Sequence, residues 1–159
     1  MQFKDELKPV SGKAPQWETA KDRRNESDVA RLLESRWDCR LHKMPKSYRL
    51  DYFATRDRNP VAFIEVKCRT HSFNQFPTLI LSLGKYLSAQ SISSSTGIPS
   101  LLVVRFPDAL AYVSLMNDFP ISMGGRTATA RDERDFEPVI EIPTERMVKL
   151  YDSDNTSLA

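Results

Sequence analysis

The segment from Arg49 to Lys67 most restricts the folds open to this chain. Leu50-Asp51-Tyr52-Phe53-Ala54-Thr55 and Val61-Ala62-Phe63-Ile64-Glu65-Val66-Lys67 are dominated by apolar, aromatic and β-branched residues. Between them lies Arg56-Asp57-Arg58-Asn59-Pro60, whose Asp, Asn and Pro favour chain reversal. The pattern predicts a β-hairpin. Three charged residues, Asp51, Glu65 and Lys67, stand where its strands should be buried.

With the turn centred on Arg58, Asp51 and Glu65 fall at equal distances from it. In an antiparallel pair they face each other, with Cβ atoms about 4.5–5.5 Å apart, and like charges so placed destabilise a sheet. A divalent cation would offset that cost, since Mg²⁺ is commonly held by one or two carboxylates plus water and phosphate oxygens. Side chains alternate between the faces of a strand. Glu65, Lys67, Arg69 and His71 are therefore expected on one face, and Ile64, Val66 and Cys68 on the other. The first face suits a metal and a phosphodiester; the second suits a core.

Composition bounds the rest. The 159 residues suit a single domain. The formal net charge is only +2, so any contact with nucleic acid must come from local clusters rather than a global field. The two cysteines, Cys39 and Cys68, have no metal-ligand spacing and are read as reduced thiols. No apolar stretch has the form of a signal peptide or the length of a membrane span, so a cytoplasmic, intracellular protein with no membrane partner is expected.

Taken in order, residues 1–15 read as an N-terminal arm, 16–151 as the folded domain and 152–159 as a disordered tail, with Trp17 anchoring the arm. A helix is predicted from Thr19 or Asn25 to Trp37, with Glu26, Val29, Ala30, Leu33 and Trp37 on one stripe and Glu34 on its flank. Asn25 would be its N-cap, and Glu26 would then lie in the first turn, where the helix dipole favours an acid. Asp38 to His42 reads as a short strand, and Arg40, His42, Lys43, Lys46 and Arg49 would set a positive wall near Asp51. Thr70 to Pro77 reads as a loop anchored by Phe73 and Phe76. A second helix is predicted from Pro77 or Leu81 to Ser93, with Leu79, Ile80, Leu83, Leu87 and Ile92 as its apolar face and Lys85 near its start. Ser100 to Phe106 reads as a strand buried on both faces, with Leu110 to Met116 returning beside it. Gly124-Gly125-Arg126 reads as a turn, Arg131 to Glu137 as a solvated charge run, and Val139 to Ile142 as an edge strand bounded by Pro138 and Pro143. Arg126, Arg131 and Arg134 could line a path for DNA.

Asp51, thirteen further residues, and then Glu65-Val66-Lys67 resemble the signature of the PD-(D/E)XK nuclease superfamily. Leu50 stands where the name-giving proline would be. The predicted order of helix, strand, hairpin, helix and strand is similar to the superfamily's αβββαβ core. The resemblance thus implies an α/β, restriction-endonuclease-like domain with a central mixed sheet flanked by helices. It also implies a Mg²⁺- or Mn²⁺-dependent endonuclease hydrolysing phosphodiester bonds in DNA. Asp51, Glu65 and the Val66 carbonyl would hold the metal, and Glu26 would add the carboxylate that such nucleases carry on their first helix. Lys67 would orient the water and stabilise the transition state. Lys85 would reach phosphate from the second helix, with Arg69, Lys46, Arg49 and His71 as further nucleic-acid contacts.

A small chain without a separate recognition module resembles junction resolvases and phage-type endonucleases, which points to branched or structured DNA. Two nicks across a branch need two sites, hence a homodimer. Two other classes stay open: a nucleic-acid-binding module that keeps the fold without turnover, and a structural protein in which Lys67 merely pairs with Glu65 or Asp51. Metal-dependent cleavage that is lost with Glu65 or Lys67 separates the first reading from both.

Overall fold

The computed structural model describes residues 20–125 and 136–152. The N-terminal arm with Trp17, the residues Arg126, Arg131 and Arg134, most of the charge run and the tail beyond Asp152 lie outside the described residues.

The chain begins with helix α1 (Ala20–Trp37), followed by β1 (Arg40–Lys43) and a short 3-10 turn at Lys46–Tyr48. The hairpin is β2 (Tyr52–Arg56) and β3 (Asn59–Cys68). Next come β4 (Thr78–Ser82), helix α2 (Leu83–Thr96), β5 (Ser100–Arg105) and β6 (Ala109–Ser114). Strands β7 (Ile121–Gly125), β8 (Phe136–Pro143) and β9 (Val148–Asp152) complete it. Six strands form the main sheet in the order β1-β2-β3-β5-β6-β9. It is mixed, because β3 and β5 run parallel while the other neighbours are antiparallel. The parallel pair is the consequence of the α2 crossover between them. This is the expected α/β architecture, a central mixed sheet between helices.

The two faces of the main sheet are separate cores. Val29 and Leu33, four residues apart on α1, pack onto Tyr52, Ala54, Ile64, Val66 and Val103. On the other face, Phe63, Leu102, Val104 and Ala111 meet Tyr86 and Ala89 of α2 together with Leu79, Leu81, Ile140 and Ile142. The last four belong to a second sheet, ordered β4-β8-β7.

The hairpin turns more tightly than its polar stretch suggests. Asp57 and Arg58 alone make the turn, with φ of 49° and 67°. Positive φ at both central residues is the geometry that matches strand twist in a two-residue hairpin. Pro60 therefore lies in the ladder, opposite Thr55. A shift between Ala54 and Thr55 then sets Ala54 opposite Ala62, Phe53 opposite Phe63 and Tyr52 opposite Ile64. One further step along that register brings Asp51 beside Glu65, as the spacing required.

Several expectations are corrected. Helix α1 starts at Ala20, so Asn25 is inside it and Glu26 is beyond the first turn. Leu79 and Ile80 belong to β4, not to the second helix, because Leu79 pairs with Ile142 and Ile80 with Glu141. Helix α2 instead buries Tyr86, Ala89 and Ser93, and Leu87 is exposed. Strand β8 is central in its sheet rather than an edge. Its prolines are tolerated because Pro138 is paired only to β7 and Pro143 only to β4, so neither lies where both sides of the strand are bonded. Gly124 and Gly125 are strand residues, and a Cβ on Gly124 would lie 2.8 Å from Val139 Cγ2. Asp152, the expected start of a disordered tail, is paired to β6 as the last residue of β9.

Candidate active site

The cavity that holds the charged hairpin residues has a volume of about 550 Å³ and opens beside the ends of β2 and β3. Three carboxylates line it, Glu26, Asp51 and Glu65, with five cationic residues, Lys43, Lys46, Arg49, Lys67 and Lys85. A chain nearly neutral as a whole therefore concentrates positive charge here, the condition for attracting a phosphodiester.

Asp51 is held by its backbone and its side chain. Its N–H donates to the Ile64 carbonyl at 3.1 Å, and its own carbonyl accepts from the Met44 N–H at 2.8 Å. Asp51 Oδ2 accepts the Val66 N–H at 2.8 Å. The carboxylate is thereby tied to the backbone of the residue between Glu65 and Lys67.

Glu65 is 1 % exposed. Alternation puts it on the face of Phe63, toward α2, while Ile64 and Val66 enter the α1 core. Lys67 Nζ stands 3.0 Å from Glu65 Oε1, and Lys85 Nζ stands 3.1 Å from Glu65 Oε2. Lys85 also donates to the Arg49 carbonyl. Burial pushes the Glu65 carboxyl above its ordinary pKa; Lys67 and Lys85 oppose the rise, and Asp51 adds to it. Lys67 meets Glu65 Oε1 as an ion pair, and no other donor among the described residues reaches that oxygen. A carboxylate buried this deeply is a costly arrangement unless both lysine pairs are kept.

Glu26 reaches the same cavity from α1, but through a lysine. Lys43 Nζ lies 2.6 Å from Glu26 Oε2 and 3.8 Å from Asp51 Oδ1. Burial works against the Lys43 charge, yet the hydrogen bond to Glu26 and the charges of Asp51 and Glu26 hold its pKa above the usual lysine value. Glu34 is turned elsewhere: its Oε1 accepts the Leu41 N–H at 2.9 Å and secures the start of β1.

Of the other expected contacts, Lys85, Lys46 and Arg49 line the cavity. Arg49 adopts a left-handed backbone, φ 60°, at the end of the 3-10 turn. Arg69 and His71 are not brought to the cavity. The strand ends at Cys68, and alternation ends with it. Arg69 donates to the Cys68 and Ile80 carbonyls, and His71 packs its ring against Phe76 and Phe106. Lys43, expected in the positive wall near Asp51, also lines the cavity, whereas its link to Glu26 has no signal in the spacing. It stands opposite Tyr52, the residue after Asp51.

The carboxylates suit a hard divalent ion only in part. Asp51 and Glu65 fit a Mg²⁺ site of one or two carboxylates completed by water and phosphate. Among the described residues no three His, Cys, Asp or Glu side chains come together closely enough to enclose an ion, and Glu26 is already paired with Lys43.

Comparison with known proteins places the chain in a family and a fold. Residues 13–150 match the family described as "Phage putative PDDEXK endonuclease". No curated protein matches the chain. Among solved structures, the fold is similar to that of Hjc, a Holliday junction resolvase from the archaeal hyperthermophile Archaeoglobus fulgidus. The TM-score is 0.54 at 18% identity, over 82% of this chain and 92% of that one. At that identity the likeness is one of fold. The family match spans most of the chain and takes in the whole hairpin, so this protein belongs to the phage PD-(D/E)XK endonuclease family.

Proposed function

We propose that the protein is a Mg²⁺- or Mn²⁺-dependent endonuclease that hydrolyses phosphodiester bonds in DNA. The observation that carries this reading is Glu65: a buried carboxylate beside Asp51, clasped by the ammonium groups of Lys67 and Lys85. Asp51, Glu65 and the Val66 carbonyl would hold the ion, with Glu26 able to join once released from Lys43. When bound, the ion would polarise a phosphoryl oxygen and lower the pKa of an attacking water.

The chain's own residues would do the rest. The Lys67 ammonium would stabilise the charge that grows on the phosphorus oxygens and orient the water. Lys85, at the start of α2, would meet a neighbouring phosphate oxygen while opposing the rise that burial gives the Glu65 pKa. Lys46 and Arg49 at the cavity rim would draw in the backbone. Because both acids stand on paired or strand-adjacent backbone, the site is rigid before substrate arrives.

Branched or structured DNA is the substrate class we favour, from the likeness to a Holliday junction resolvase fold, with a homodimer supplying the second site. Cleavage of linear, nicked, flapped and four-way-junction DNA in Mg²⁺ and Mn²⁺ tests this. Wild type is expected to cut in either ion, and Glu65→Ala and Lys67→Ala, checked for folding, are expected not to. Wild type that binds DNA equally with and without metal and cuts nothing would sink the catalytic reading.

A further inference from the structure

A second and larger cavity, of about 780 Å³, lies along β1 and β2. Arg40, His42, Phe53, Thr55, Arg56 and Arg58 are among the residues that line it. Its side-chain chemistry differs from that of the acid site. The rings of His42 and Phe53 are stacked, with centroids 4.6 Å apart and planes 19° from parallel. His42 Nε2 and Thr55 Oγ1 are hydrogen-bonded at 2.9 Å. The imidazole is thus backed by one ring and tethered at its edge, and it is exposed to solvent.

Ladder parity puts this platform on the same sheet face as Glu65. Phe53 is opposite Phe63 and His42 is opposite Phe53. Glu65 is two residues from Phe63 along β3, on the same face, and Asp51 is the residue just before β2. The step from Asp51 to Phe53 along the strand is about 6.6 Å. Arg40 and Arg58, which make no ion pair among the described residues, stand farther along the cleft, at the hairpin end. Arg56 is committed to the Trp37 and Asp38 carbonyls, and Asp38 and Asp57 also line the cleft. Its excess of positive charge is therefore small, too small to track a duplex backbone by charge alone. A fixed exposed ring flanked by two arginines is instead the arrangement that takes an unstacked base and its phosphate.

We propose that this cleft binds unpaired nucleotide next to the scissile phosphate, one base stacking on His42 while Arg40 and Arg58 contact the adjoining phosphates. The inference rests on the nuclease reading and deepens it: the cleft would make the enzyme prefer DNA with an unpaired strand beside the cut over continuous duplex.

The test is binding, measured apart from cleavage. A 5′- or 3′-flapped DNA carrying 2-aminopurine at the first unpaired position, and a blunt duplex of the same length, are titrated without divalent ion. Wild type is expected to bind the flap more tightly and to quench the probe. His42→Ala should lower the flap-over-duplex preference about tenfold and abolish the quench, and His42→Trp should restore both. Arg40→Ala with Arg58→Ala should weaken flap binding while leaving the quench at saturation. Equal loss on both DNAs, or a quench that survives His42→Ala, overturns the proposal. Cleavage of duplex in Mg²⁺ is scored separately: if it persists in that case, the platform is wrong and the nuclease reading stands. If wild type shows the preference and the quench but never cuts, the nuclease reading fails, and what stands is the stacking of an unpaired base on His42 without a scissile phosphate beside it.

Discussion

Lys43 Nζ lies 2.6 Å from Glu26 Oε2, so the carboxylate of the first helix reaches the hairpin through an ammonium rather than directly. The same ammonium is 3.8 Å from Asp51 Oδ1. A fixed cation thus occupies part of the space that three carboxylates would otherwise offer to a metal.

Replacing it should therefore favour the metal. Lys43→Met is expected to change the stability of the metal-free protein by no more than about 1 kcal/mol, because the lysine is half exposed. It should raise Mn²⁺ affinity about fivefold, from the loss of about 1 kcal/mol of like-charge repulsion. Thermal denaturation and calorimetric titration measure the two effects. Weaker Mn²⁺ binding in the variant would show that Lys43 organises the carboxylates rather than competing for them.

Glu65 should make the metal-free protein less stable as pH rises. Burial chiefly raises its folded pKa, so between the ordinary carboxylate value and that raised value the folded state holds more protons than the unfolded one. Stability is then fully present below the unfolded pKa and is lost as pH rises through the folded pKa. Glu65→Gln removes this slope. At neutral pH and in chelator it is expected to be more stable by about 0.5–2 kcal/mol, while cleavage is lost. A Gln variant that melts below wild type would mean that the Lys67 and Lys85 pairs outweigh the burial of the charge.

Lys67→Ala should lower the single-turnover cleavage rate by about 10²–10³-fold, the usual cost of removing one donor aimed at developing charge. DNA affinity should change far less, since Lys46, Arg49 and Lys85 remain in the same cavity. A comparable fall in affinity with the rate at saturation unchanged would assign Lys67 to ground-state binding instead.

Gly124→Ala tests the second sheet. Its Cβ would lie 2.8 Å from the methyl of buried Val139, and overpacking of this kind costs about 1–3 kcal/mol. Denaturant unfolding should show that loss, with cleavage per folded molecule unchanged, since the acid site is built on the other sheet. Unaltered stability would mean that β7 yields locally.

The hairpin and its acids are legible in the sequence because their arrangement is local. Alternation has a period of two, and a short turn links the strands, so Asp51, Glu65 and Lys67 share a cavity by spacing alone. A turn tighter than its polar stretch suggests still leaves the register of Asp51 intact, because a bulge at Ala54 and Thr55 absorbs the difference. Val29 and Leu33 are legible for the same reason, being one helical turn apart.

What the tertiary structure decided involves partners far apart in the chain. Leu79 to Ser82 reads equally well as the start of a helix, and it becomes a strand because Val139 to Pro143 pairs with it. Only the packing of α1 selects Glu26 over Glu34, and only the approach of β1 puts Lys43 between Glu26 and Asp51. Lys85 meets Glu65 because the α2 crossover returns the chain to the parallel neighbour of β3. Sequence alone determined the hairpin, its register and the shared face of its charges, since backbone period and turn geometry act over a few residues. The cations around those charges, and the aromatic platform beside them, depended on which segments pack together. That is settled by burial of the whole core rather than by local preference.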